Sequence, residues 1–89
     1  MNIPVNFNIG KVPKLPNGKN ILSGDIELYI YDGKKHREKG PAEIHRRTGY
    51  EAWYWHGRLH RDGGPALIDP KNKHIEFWKN GTFLRREKL

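Results

Sequence analysis

The chain contains no cysteine. That excludes a disulfide framework, the usual substitute for a large core in a small secreted domain. It also removes the thiolate ligands that most structural zinc sites use. No stretch approaches the ~20 consecutive apolar residues of a membrane span, and no basic region followed by an apolar run opens the N-terminus. The expectation is a cytoplasmic protein with no membrane partner. Acidic side chains are scarce, 10 against 17 lysines and arginines, for a formal charge of +7. The excess favours an anionic partner, either an acidic protein surface or nucleic acid. Acids are interspersed with the bases, however, so no unbroken phosphate track is present. A nucleophile elbow, a phosphate-cradling glycine loop, a paired-carboxylate site and a compact metal-ligand cluster are all missing. No enzymatic activity, metal or cofactor is expected.

What the chain does contain is repetition. Trp53-Tyr54-Trp55-His56-Gly57-Arg58-Leu59-His60-Arg61-Asp62-Gly63-Gly64-Pro65-Ala66 has a copy 24 residues earlier, from Tyr31 through Asp32-Gly33 to Gly40-Pro41-Ala42, and a partial one 24 residues later around Trp78 to Arg85. Gly33, Gly57 and Gly81 keep this spacing, as do Arg37, Arg61 and Arg85, and His36 recurs as His60. In-register copies in 89 residues imply one domain built as a repeat array.

Residues 1–24 stand outside the repetition. Ile3, Val5, Phe7 and Ile9 alternate with polar residues or proline, which reads as a half-buried strand that Pro4 would keep at an edge. Lys11 to Gly24, with Pro13, Pro16 and Asn17-Gly18, reads as loop. This N-terminal extended arm is expected to cap the sheet formed by residues 25–89.

From residue 25 the pattern is strand, tight turn, strand. Asp32-Gly33 and Asn80-Gly81 are two-residue hairpin signals, because a type I′ turn needs positive φ at both central positions, and His56-Gly57 holds the same place. Gly40-Pro41 and Gly64-Pro65 interrupt the returning strands, since proline cannot donate to a ladder. The expected fold is all-β, an antiparallel single-layer meander of about six strands made by three hairpin repeats. Rising strands are expected near 26–31, 50–55 and 74–79. The turn register pairs Tyr31 with Lys34, Trp55 with Arg58, Lys79 with Thr82 and Phe77 with Leu84. One face would then carry Ile30, Tyr54, Leu59, Trp78 and Phe83 as core. The other would carry Tyr29, Tyr31, Lys34, His36, Trp53, Trp55, Arg58, His60 and Phe77. A single sheet cannot cover both sets of rings, so the second face is expected to meet the arm, a second copy or a partner.

The phrase Trp-Tyr-x-x-Gly-x-Leu-His-Arg-x-x-Gly-Pro-Ala resembles the short β-hairpin repeats, distantly related to MORN repeats, of small bacterial and phage proteins. The resemblance covers residues 26–86. Its third copy departs from the pattern, with Leu84 in place of the histidine and Lys88-Leu89 in place of Gly-Pro, as in a terminal cap. The resemblance implies a β-hairpin binding scaffold, inside a bacterial host cell, and no single activity.

Positions identical between copies are expected to be scaffold: Gly33, Gly57, Gly81, His36, His60, Arg37, Arg61, Arg85, Pro41 and Pro65. Positions that vary are the better candidates for partner contact. These are Tyr31, Lys34, Trp53, Trp55, Arg58, Lys79 and the turn-tip cations Arg46 and Arg47, since tryptophan, tyrosine and arginine anchor interfaces. The leading expectation is a non-enzymatic protein-binding module, a phage or mobile-element accessory protein that inhibits or redirects a host enzyme or defence component with an acidic surface. It is expected to self-associate. Rings flanked by cations also suit single-stranded nucleic acid. A small metal-independent ribonuclease using His36 or His60 is the third alternative.

Overall fold

The structure, a computed structural model, describes residues 14–89. These form an all-β, antiparallel, open-sheet protein with no helix among the described residues. The strands in chain order are β1 (Gly18–Leu22), β2 (Ile26–Tyr31), β3 (Lys34–Lys35), β4 (Glu43–His45), β5 (Tyr50–Ala52), β6 (Tyr54–Trp55), β7 (Arg58–Leu59), β8 (Leu67–Asp69), β9 (His74–Lys79) and β10 (Thr82–Lys88). The main sheet runs β1-β2-β4-β5-β8-β9-β10, with β3 also paired to β2, while β6 and β7 form a separate two-stranded ladder.

The hairpin turns follow from local stereochemistry. Asp32 and Gly33 have φ of 52° and 76°, His56 and Gly57 45° and 83°, Asn80 and Gly81 48° and 80°. Positive φ at both central residues defines the type I′ turn, whose twist matches that of the flanking strands. The cross-turn pairs are Tyr31 with Lys34, Trp55 with Arg58 and Lys79 with Thr82.

Ten short strands replace the expected six, because the first two hairpins are interrupted and because β1 adds a strand at the edge. After β3 the chain leaves the ladder at His36 and rejoins it at Ala42. Both ends of this excursion bond one residue, Tyr29: its carbonyl accepts from His36 N at 2.9 Å and its N–H donates to Ala42 O at 2.8 Å. Trp53 is served identically by His60 N at 3.0 Å and Ala66 O at 2.7 Å. The excursion therefore acts as a very large bulge opposite a single aromatic residue. Beyond it, β4 pairs with both β2 and β5, and β8 with both β5 and β9. The halves before the excursions, β3 and β7, pair only with the strand that precedes them.

Three further expectations change. Residues 18–22, read as loop, form β1 and pair with β2 from Gly18↔Ile30 to Leu22↔Ile26, because β2 offers a second open edge. The described part of the arm thus belongs to the sheet. The strand expected over residues 3–9 lies outside the described residues. In the third hairpin Phe77 lies opposite Arg85 and not Leu84, since the register slips between Phe83 and Arg85.

The core is thin. Its buried apolar residues are Leu28, Ile30 and three alanines, Ala42, Ala52 and Ala66. The alanines are fully buried where the returning excursions rejoin the sheet: Ala42 N donates to Ala52 O and Ala66 N to Glu76 O. Of the expected core face, Ile30 is buried, Tyr54, Leu59 and Trp78 are half-buried, and Phe83 is exposed. Two carboxylates are buried as well. Glu27 bonds Arg46 and lies 3.7 Å from Lys19, while Glu76 accepts from Trp78 Nε1 at 2.9 Å and from Arg86 at 2.8 Å. Both carboxyls are held below their usual range: Glu27 chiefly by the bond from Arg46, and Glu76 by its two donors against the opposing effect of burial.

Candidate functional site

Consecutive hairpin tips stack on one another. The Lys34 stem lies about 3.4 Å from where a side chain on Gly57 would begin, and the Arg58 stem packs at 3.5 Å in the same way on Gly81. Gly57 N donates to Lys35 O, and Gly81 N to Leu59 O, both at 2.8 Å. The first central residue of each turn is held too: His56 N donates to His36 Nδ1 at 2.9 Å, and Asn80 N to His60 Nδ1 at 3.0 Å. Each copy's histidine thus latches the next copy's turn, a bond repeated with 24-residue spacing at both ends.

The repeated arginines have an equally local task. Arg37 lies over the Tyr29 ring, Arg61 over Trp53 and Arg85 over Phe77, at 3.9, 3.8 and 3.8 Å from the ring centres. Within the excursions Arg37 donates to Pro41 O and Arg61 to Pro65 O, both at 3.1 Å. A side chain at Gly40 or Gly64 would begin 2.7 or 2.9 Å from the guanidinium carbon, so it would displace the curled arginine from its place. The rings Tyr29, Trp53 and Phe77 are half-buried beneath guanidinium groups. On the second face, expected to meet the arm, a second copy or a partner, the rings of Tyr29, Trp53 and Phe77 are thus covered by the chain's own arginines.

What stays open is the row of tips. Tyr31 is 52% and Trp55 40% exposed. They flank a ring cluster in which His36 stacks on His56 at 4.1 Å and meets Trp55 at 4.6 Å and Tyr31 at 5.8 Å. Lys34 and Arg58 stand across the turns from Tyr31 and Trp55, with their stems on Gly57 and Gly81. Tyr31, His36, Glu38 and His56 line a shallow cleft here. A second cleft of 250 Å³ lies between the two excursions, bounded by Arg37, Glu38, Trp55, Arg61 and Asp62. The indole nitrogen of Trp53 is buried beside it with no hydrogen-bond partner among the described residues.

The remaining candidates are engaged by neighbouring side chains. Trp53 lies under Arg61, and Lys79 is paired with Asp62 at 2.8 Å, a bond that also holds the Asp62 carboxyl below its usual range. Arg46 and Arg47 sit past β4, at the other end of the strands, on Glu27 and Asp25. The sheet face around Ile30 carries a cluster of its own: Glu43 accepts from Lys35 and bonds His45, each at 2.6 Å. Burial raises the Glu43 carboxyl, but these two partners outweigh it and the net shift is downward. Burial also pushes the nearby Tyr50 and Tyr54 hydroxyls upward. Among the described residues no group of three or more histidine, aspartate or glutamate side chains could hold a metal ion.

Sequence reasoning passed over His56, which supplies both a ring to the cluster and the N–H that His36 binds. It stands in a turn position that the other copies fill with aspartate and asparagine, and that substitution was the available signal. Ala42 and Ala66 were likewise seen only as part of a phrase.

Fold and surface together define a small, all-β, open-sheet protein with a basic aromatic edge at its hairpin tips. No protein-family model, curated protein or solved structure matches the chain.

Proposed function

We propose that the protein is a non-enzymatic protein-binding module that docks through its row of hairpin tips. One observation carries this reading: Tyr31, Trp55 and His56 form an exposed ring cluster around the half-buried His36, with Lys34 and Arg58 as the cross-turn partners of Tyr31 and Trp55. Rigid rings with two torsions each lose little entropy on docking, and flanking cations steer an acidic partner. The repeated histidines support a scaffold role over a catalytic one, because each commits Nδ1 to a neighbouring turn. A general acid or base can work through one ring nitrogen while the other is held, so it is the repetition of the same bond in both hairpins, and not a blocked nitrogen, that favours scaffold. The MORN-like resemblance adds the setting, a phage or mobile-element protein that occupies a host enzyme or defence component.

The test is capture from a bacterial lysate with and without nuclease, using the native chain, Trp55→Ala and Arg58→Glu. One protein retained in stoichiometric amount despite nuclease, and lost with either substitution, is the expected outcome. If the retained protein is the chain itself, the face serves self-association. Material that disappears with nuclease would replace this reading by single-stranded nucleic-acid binding, for which stacking rings beside cations are equally suited.

A further inference from the structure

We infer that the docking face is gated by protonation of His36: the neutral imidazole pins the second hairpin tip and assembles the ring cluster, and the charged one releases it. The inference rests on the proposed face for its consequence, but its physics is that of one hydrogen bond. His36 Nδ1 accepts from His56 N at 2.9 Å. A neutral imidazole has one N–H, so the proton must sit on Nε2 for Nδ1 to accept. Protonation places a second N–H where the His56 N–H already points, and the acceptor is lost. Turning the ring over presents a C–H there and restores nothing. Of the two backbone bonds from this tip to the first hairpin, only the one from Gly57 N to Lys35 O would remain.

The groups facing His36 come from several elements. From β2 comes the Tyr31 ring at 5.8 Å. From the second hairpin come Trp55 at 4.6 Å and the imidazole of His56 at 4.1 Å. Glu38, on the same excursion, shares its cleft. Lys34, packed on Gly57, brings a cation to the same tip, whereas Arg37 is turned away onto Tyr29. Burial and then His56 hold the imidazole below its ordinary 6.5, with Glu38 opposing them. A depressed histidine contributes stability that is complete above the unfolded value and lost as pH falls through the folded one. The latch is therefore closed above pH 6.5 and opens on acidification below it.

The experiment follows the His56 amide of the full chain by NMR hydrogen exchange, corrected for intrinsic rates, from about pH 8 to about pH 5. Protection of His56 is expected to fall about tenfold on acidification, the scale of one net hydrogen bond. His36→Gln offers an amide oxygen that accepts at every pH, so its profile should be flat. His56→Asn keeps the acceptor, removes the facing imidazole, and should move the transition to higher pH. A pH-independent profile in the native chain overturns the gate, as does the same fall in His36→Gln or an unmoved transition in His56→Asn. The readout uses the free protein, so a failed gate leaves the docking test intact. A failed capture, in turn, leaves the exchange profile standing.

Discussion

The second and third hairpins place an arginine on an aromatic ring at the same 3.8 Å, yet they reach that contact differently. In the second, the chain spends the excursion from His60 to Ala66 opposite Trp53. In the third, a single slipped residue, Leu84, brings Arg85 opposite Phe77. The ring–guanidinium contact therefore needs neither the histidine nor Gly-Pro-Ala. Those residues serve the neighbour. His60 binds the next turn, Gly64 leaves room for an arginine that also holds Pro65 O, and Ala66 joins the strand that passes on to β9. No described strand follows β10, and the third hairpin has Leu84 and Lys88 where the second has His60 and Gly64. The comparison separates what a hairpin needs to fold from what it needs to hold another one.

The largest break should come from Gly57→Val. It forces a β-branched residue to φ of 83° and pushes it against the Lys34 stem. Strain of about 1–3 kcal/mol, added to a lost tip contact, should leave a domain with so thin a core largely unfolded. A native-like spectrum with an unchanged urea midpoint would show that tip stacking does not hold the array together.

A smaller effect distinguishes the two arginines. Arg61→Ala removes the cover of Trp53 and the donor to Pro65 O, so a loss of about 1–3 kcal/mol is expected. Arg85→Ala removes a ring contact and an exposed pair with Glu87, and its cost should stay below about 1 kcal/mol. Urea midpoints on matched samples decide this. Equal losses would mean that the excursion adds nothing to the guanidinium contact.

How much of this was legible depended on how local the cause was. The three turns were legible, because two adjacent residues at positive φ leave a signature in the residues themselves, and the turn then fixes Tyr31 against Lys34 and Trp55 against Arg58. Gly40-Pro41 announced an interruption, but not that Arg37 would curl back over Tyr29, since that depends on the shape of the closed loop. The excess of rings on the second face therefore looked larger than it is. Strand β1 was hidden because Asn17-Gly18 and Gly24 frame it like a loop, and only the open edge of β2 draws it into the sheet. The slip at Leu84 was hidden for the opposite reason. The turn register extrapolates cleanly to Phe77 and Leu84, and nothing in the residues there says where it stops. At the candidate site, the variable residues Tyr31, Lys34, Trp55 and Arg58 do gather at the tips. Arg46, Arg47 and Lys79 could not be set apart from them without their acidic partners in view.

The finest test exchanges the residues that distinguish the hairpins. His60→Leu removes the acceptor of the Asn80 N–H and gives the second hairpin the third one's residue. Leaving that donor without its partner should cost about 1 kcal/mol and speed exchange at Asn80. Leu84→His performs the reverse change, on a side chain that is 55% exposed. Among the described residues no following turn offers an N–H to the new imidazole, so stability should stay within about 0.5 kcal/mol of the native chain. The asymmetry is the point of the pair: the same two residue types, exchanged at positions 24 apart, should matter in one direction only. If Leu84→His stabilised the chain as much as His60→Leu weakened it, the histidine would be acting within its own hairpin, and the latch would not be what joins one hairpin to the next.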